Sequence, residues 1–223
     1  MDTPQTRRRD WPIAVGLILL ALVPSIAGGF RVGEIATGAT ETAANARFIQ
    51  MPAPVVLHIV CALVYSLVGA FQFLPGLRRR RNGWHRFAGR YLLVPAGLVL
   101  AGTGLWMTAA YDVPPTDAGA VAVSRYIVGA LMIAFLLLGV AAVARRDYFA
   151  HGSWMIRAYA LAMGAGTQVL TSGPSVIMMS EPDALTRLIQ MDAAWLINAL
   201  VAEWIIARRR RAANQARSAM ITA

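Results

Sequence analysis

The chain has 223 residues, of which 57% are hydrophobic and 14% charged, with a mean hydropathy of +0.54. Soluble domains carry about 25% charged residues, so this composition excludes an ordinary water-soluble protein. The formal charge of +10 comes from 21 basic residues, all arginine, split among short clusters between apolar runs, a placement that excludes a nucleic-acid-binding face.

Runs long enough to cross about 30 Å of hydrocarbon at about 1.5 Å per residue predict an all-α integral membrane bundle of six helices. In chain order they are Trp11 to Phe30, Ala53 to Leu74, Tyr91 to Tyr111, Val121 to Ala144, Trp154 to Met179 and Arg187 to Ala207. The first is too long for the apolar part of a signal peptide and is read as an uncleaved helix. Arg7 to Arg9 precede it, Arg78 to Arg81 with Arg86 and Arg90 separate the second and third spans, Arg145 and Arg146 follow the fourth, and Arg208 to Arg211 follow the last. The alternate junctions carry Glu34, Glu41, Asp112, Asp117, Glu181 and Asp183. The positive-inside rule makes the arginine side cytoplasmic, so both termini, 1–10 and 208–223, are cytoplasmic tails of one membrane domain covering 1–223. The longest outer connection, Arg31 to Pro52, is of a length more often functional than idle.

An ionisable side chain at a helix centre costs at least about 2.5 kcal/mol in a bilayer and turns inward. In the second span His58, Tyr65 and Gln72 recur every seven residues and form one polar stripe near Gly69. In the fifth, Arg157, Gly164, Gln168, Thr171 and Ser175 fall on one narrow arc. In the sixth, Asp192, Asn198 and Glu203 share no face. The lone Cys61 lies in an apolar run and is read as helix packing. His58 lies toward the outer surface, whereas His85 and His151 lie toward the cytoplasm, so the three histidines cannot bind one metal ion. His85 and His151 remain as a pair, with Arg86, Arg90 and Arg157 close enough in sequence to meet haem propionates or lipid phosphates.

Three segments together resemble domain-of-unknown-function family 2306, a group of uncharacterised bacterial membrane proteins. They are Gly69-Ala70-Phe71-Gln72-Phe73, His85-Arg86-Phe87-Ala88-Gly89-Arg90-Tyr91, and Trp154-Met155-Ile156-Arg157-Ala158-Tyr159-Ala160 preceded by His151. The resemblance covers Pro54 to Trp204. It implies a multi-helix protein of the bacterial inner membrane and supplies no activity.

Three functions stay open. His85 and His151 ligating a haem b would make a redox protein, the arrangement of small antiparallel helices being similar to that of membrane b-type cytochromes. The stripes His58-Tyr65-Gln72 and Arg157-Gln168-Ser175 would line a polar path in a small transporter or proton relay. A polar interior would also serve a non-catalytic subunit that assembles with a protein partner or a second copy. The sequence has no GxSxG elbow, HExxH helix or glycine-rich phosphate loop to indicate an enzyme. The lipid bilayer is the one partner that composition requires.

Overall fold

The computed structural model describes residues 4–74, 76, 82–179 and 181–221, and among them all regular structure is helical. Helix α1 (Pro4–Ala36) leads through the short α2 (Ala46–Gln50) to α3 (Pro52–Gln72), which contains a π turn at Val64–Val68. Helix α4 starts as Asn82–Phe87, passes through a π turn at Ala88–Leu93 and continues as Val94–Ala110. Then come α5 (Ala120–Ala144), α6 (Tyr148–Ala162), α7 (Gly164–Thr171), α8 (Gly173–Ile177) and α9 (Ala184–Ile221).

Among the described residues five stretches are long and apolar enough to cross a membrane: Trp11–Ala36, Pro52–Gln72, Gly83–Ala110, Ala120–Ala144 and Ala184–Met220. The predicted fifth span differs. It begins at Tyr148 and breaks at Met163 and Ser172 into α6, α7 and α8. At the first break the backbone tightens, the Gly166 N–H donating to the Met163 carbonyl at 3.1 Å. The second precedes Gly173-Pro174, where proline has no N–H to continue the ladder.

Other boundaries shift for local reasons. Helix α1 passes the expected end at Phe30 and reaches Ala36, with Arg31 pairing to Glu34 at 2.7 Å across one turn. Helix α4 takes in Trp84, His85 and Arg86, which the sequence reading left before the span. Helix α9 continues past Ala207 through the arginines, because Arg208 to Ile221 contains neither glycine nor proline and is rich in arginine and alanine, both strong helix formers. The expected Arg78 to Arg81 cluster lies outside the described residues.

Helix α3 packs on α4, α4 on α5, α5 on α6, and α9 on α6 and α7, while α1 closes against α3 and α7. The centre is filled by Tyr65, Leu100, Leu136, Ala158, Tyr159 and Met163. Outward-facing Leu19, Phe30, Ile127, Leu137, Leu200 and Trp204 are exposed, a surface matched to hydrocarbon and not to water.

The junctions sort by end. At one end Arg146 makes the tight turn after α5 with φ 61°, Asp147 caps α6 by accepting from the Ala150 N–H at 2.8 Å, and Arg209 and Arg210 lie over the Phe149 ring. At the other, the Tyr111 hydroxyl donates to the Met51 carbonyl at 2.8 Å. There Asp117 accepts from Arg125 on α5 and from Arg187 on α9, each at 2.8 Å.

That clip has a pH signature. Burial opposes the charge on Asp117, but hydrogen bonds from Arg187 and Arg125 outweigh it and hold the carboxyl below its ordinary 3.8. The contribution is present above the unfolded value and is lost as pH falls through the lower native one. Thermal unfolding measured from about pH 6 down to about pH 3 is expected to show Asp117→Asn less stable than wild type at the upper limit. The difference should shrink toward the lower limit.

Candidate functional site

The inner face of α3 carries His58, Tyr65 and Gln72, and the structure turns all three toward the protein. His58 meets α4. The Thr103 hydroxyl donates to the carbonyls of Val99 at 2.7 Å and Leu100 at 3.1 Å. Its one proton is thus committed, and it accepts from His58 Nδ1 at 3.2 Å. In the neutral ring Nδ1 therefore holds the proton and Nε2 keeps its lone pair. Gly104 brings the helices together here, since a Cβ on it would sit 3.4 Å from His58 Cε1.

Tyr65 lies in the π turn of α3 and is 4% exposed. Its ring packs on Gly97 of α4, where a Cβ would meet it at 2.7 Å, and its centroid is 5.7 Å from that of Tyr159. The Tyr159 hydroxyl donates to the Ser66 carbonyl at 2.7 Å, in the same π turn, a distortion that recurs at functional sites. Gln72 closes the stripe with both amide atoms, Oε1 and Nε2, buried and without a hydrogen-bond partner among the described residues. Besides Thr103, His58 hydrogen-bonds the Leu100 carbonyl, and no hydrogen bond joins the Tyr65 hydroxyl to any described residue.

His58 and Tyr65 line one cavity of about 160 Å³. Its walls come from α1 (Ala21, Pro24, Ser25), α3, Leu100 of α4 and the broken segment Ala162, Met163, Ala165 and Gly166. Irregular backbone at membrane depth is tolerated where protein buries it or where it lines a hydrated cavity, and the Met163 break meets that condition. Helix α1 covers the cavity. A Cβ on Gly166 would fall on the Leu20 carbonyl of α1, and one on Gly28 would come within 2.9 Å of Ile59 on α3.

The fifth-span stripe faces α9 and is largely consumed by it. Arg157 donates to Glu203 from Nε at 2.5 Å and from Nη2 at 2.9 Å, with its guanidinium over the Trp154 ring. Gly164 accommodates Trp195. The Thr171 hydroxyl donates to the Gln190 carbonyl at 2.7 Å, and Gln190 Nε2 donates to Ser175 Oγ at 2.6 Å. Between them Thr167 donates to Asn198 Oδ1 at 2.8 Å, and Asn198 Nδ2 donates to the Ala160 carbonyl at 3.1 Å just before the break. Gln168 is half-buried and lines no part of the His58 cavity.

The histidines at the other end are placed separately. His151 Nδ1–H donates to the Gly139 carbonyl of α5 at 2.9 Å, leaving Nε2 as its ligating nitrogen. His85 is half-buried near the start of α4, and Arg86 and Arg90 are exposed, Arg90 lying over the Tyr91 ring. Neither His85 nor His151 lines the cavity described above. Among the described residues no group of three or more His, Cys, Asp or Glu could hold a metal ion.

Sequence reasoning missed Thr103, Met163 and Gln190, and it left Asn198 and Asp192 without roles. Asp192 accepts from Ser124 of α5 at 3.0 Å. Asn198 and Gln190 sit two helical turns apart, a spacing that places both on one face of α9, which was the available signal.

The family described as "Predicted membrane protein (DUF2306)" matches residues 55–206. No curated protein and no solved structure matches the chain.

The cavity cover depends on a glycine. Gly166→Ala sets a methyl group against the Leu20 carbonyl and is expected to cost about 1–3 kcal/mol, the range for overpacking, read as a lowered unfolding midpoint in detergent. Gly102→Ala, with open space around its Cβ position, is expected to leave the midpoint unchanged or raised.

Proposed function

We propose, for a chain that belongs to the DUF2306 family of predicted membrane proteins, that its interior relays protons across the bilayer along the inner face of α3. One observation carries this reading. His58, Tyr65 and Gln72 all retain hydrogen-bonding capacity that no described residue uses, although a buried group left in that state costs about 1–3 kcal/mol. From His58 to Gln72 the stripe runs roughly 21 Å at the usual helical rise, most of the hydrocarbon thickness. The cavity at its His58 end has room for about five waters at about 30 Å³ each, enough to connect an imidazole lone pair to a phenol.

The same reading has the chain cross six times in a bacterial inner membrane, with the arginine-rich end and both termini in the cytoplasm. Support comes from Tyr148 to Ile177, long enough at about 1.5 Å per residue to cross despite its breaks, and from the shared end of the Arg145-Arg146 and Arg208 to Arg211 clusters. Their excess over acids at that end fits the positive-inside rule.

The test is proton flux into proteoliposomes loaded with a pH-sensitive dye, driven by a potassium diffusion potential. Wild-type protein is expected to acidify the lumen faster than occurs in protein-free liposomes. His58→Gln and Tyr65→Phe should each slow it about tenfold or more, within the range of a lost proton-transfer group, and Gln168→Leu should leave it unchanged. Equal rates with and without protein would reject the relay.

A haem b held by His85 and His151 is the second reading. It is favoured by the His151 Nδ1–H bond to the Gly139 carbonyl, the kind of support that orients a ligating imidazole. Against it, Arg157, a candidate partner for a propionate, is committed to Glu203. A reduced-minus-oxidised spectrum of protein made with ample haem decides the matter: Soret and α bands lost in a His85→Ala/His151→Ala variant would establish this reading, and a featureless spectrum would remove it.

A further inference from the structure

We propose that the cavity beneath α1 is a binding site for a small hydroxylated six-membered ring, of the phenol or hydroquinone class. The inference rests on reading the His58 cavity as the occupied part of the interior path. It adds what the cavity would take up besides water.

Size sets the first limit. The cavity measures about 160 Å³, and an engineered cavity of about 150 Å³ in another protein takes up benzene. One ring fits, whereas a lipid chain or a nucleotide does not.

Charge sets the second. Among the described residues no Asp, Glu, Lys or Arg lines the cavity. An ion without a countercharge in such surroundings costs far more than a neutral ligand, so metal cations, carboxylates and phosphates are excluded.

Hydrogen-bond polarity sets the third. The walls are mostly aliphatic, with Ala21, Ile59, Ala62, Leu63, Leu100 and Met163 facing the space. Because Thr103 has spent its proton on backbone carbonyls and takes the proton of His58 Nδ1, His58 Nε2 presents an acceptor. Tyr65 presents a phenol with no partner among the described residues, able to donate. The Ser66 hydroxyl already donates to the Ala62 carbonyl at 2.7 Å and is left as an acceptor. The complement is a ligand with a hydroxyl that donates to His58, a flat apolar body, and, in a hydroquinone, a second oxygen that accepts from Tyr65. An aliphatic wall with one acceptor and one donor suits such a ring better than it suits a fully polar solute such as urea or a sugar.

The experiment uses the full chain in nanodiscs and two fluorinated probes of one ring size, 4-fluorophenol and fluorobenzene, followed by fluorine NMR with empty nanodiscs as the partitioning blank. Saturable binding of both by wild type is expected, with about tenfold preference for the phenol, the size of one good hydrogen bond expressed as an affinity ratio. His58→Leu should abolish the preference while retaining fluorobenzene. Ala162→Leu, which fills the cavity from α6, should weaken both probes, and size-exclusion elution with an unchanged helical spectrum establishes that each variant is folded. Equal affinity of the two probes for wild type would overturn the hydrogen-bonding assignment. No saturable binding of either, or a preference that survives in His58→Leu, would overturn the site. Proton flux is read separately: protein that moves protons but binds neither probe sinks this inference alone, and protein that binds the phenol but moves no protons sinks the relay alone.

Discussion

In hydrocarbon every backbone N–H and C=O must find its partner within the protein, and the break at Met163 is where this chain comes closest to violating that rule. The arrangement of the neighbouring helices follows from sheltering it. Asn198 of α9 reaches the Ala160 carbonyl just before the break, and the Met163 carbonyl takes the N–H groups of Gly166 and Thr167. Helix α1 lies so close to Gly166 that a methyl group there would strike its backbone. A continuous sixth helix would need none of this, and it would leave α1 no recess to cover.

Two helices carry polar residues on an inward arc, and their fates differ. On α6 to α8 most side chains are matched, Arg157 with Glu203, Thr167 with Asn198, Thr171 and Ser175 with Gln190, and of Gln190 only Oε1 is left without a partner among the described residues. Such pairs hold helices together where lipid supplies no hydrophobic drive between them. On α3 the matching is incomplete, since among the described residues neither amide atom of Gln72 has a partner. A membrane protein gains nothing in stability by burying an unmatched amide and an open imidazole. The difference is what separates a seam from a site.

Much of this was legible in the residues. The alternation of arginine and acidic junctions, and the seven-residue recurrence of His58, Tyr65 and Gln72, are local patterns that depend only on helix geometry and depth. The break at Met163 was not legible, because Ala160 to Ala165 is as apolar as any span and the residues packed closest on Gly164 and Gly166, Trp195 and Leu20, lie far away in sequence. The role of α9 was hidden for a related reason. Asp192, Asn198 and Glu203 face three different neighbours, on α5, α7 and α6, so no single face holds all three. The tautomer of His58 depends on Thr103, a residue 45 positions away, and no spacing rule connects the two.

The family-like segments acquire a physical sense once Tyr159 is placed. Gly69, in the first segment, leaves room for the Tyr159 ring, which a Cβ would meet at 2.5 Å, and Phe73 of the same segment packs edge-on to it with centroids 4.9 Å apart. Ala88 to Tyr91, in the second segment, lie in the π turn of α4, and that turn packs on the π turn of α3. Tyr159 itself belongs to the third segment and spends its hydroxyl on the Ser66 carbonyl. None of the motif residues lines the His58 cavity, and they act on it from behind. They hold Tyr159 against the π turn of α3, and the π turn aims the Tyr65 ring between α4 and α6 while its hydroxyl stays uncommitted. A mutation in Gly69 would act on the site through this chain of contacts, displacing Tyr159, releasing Ser66 and turning Tyr65, without touching anything that enters the cavity.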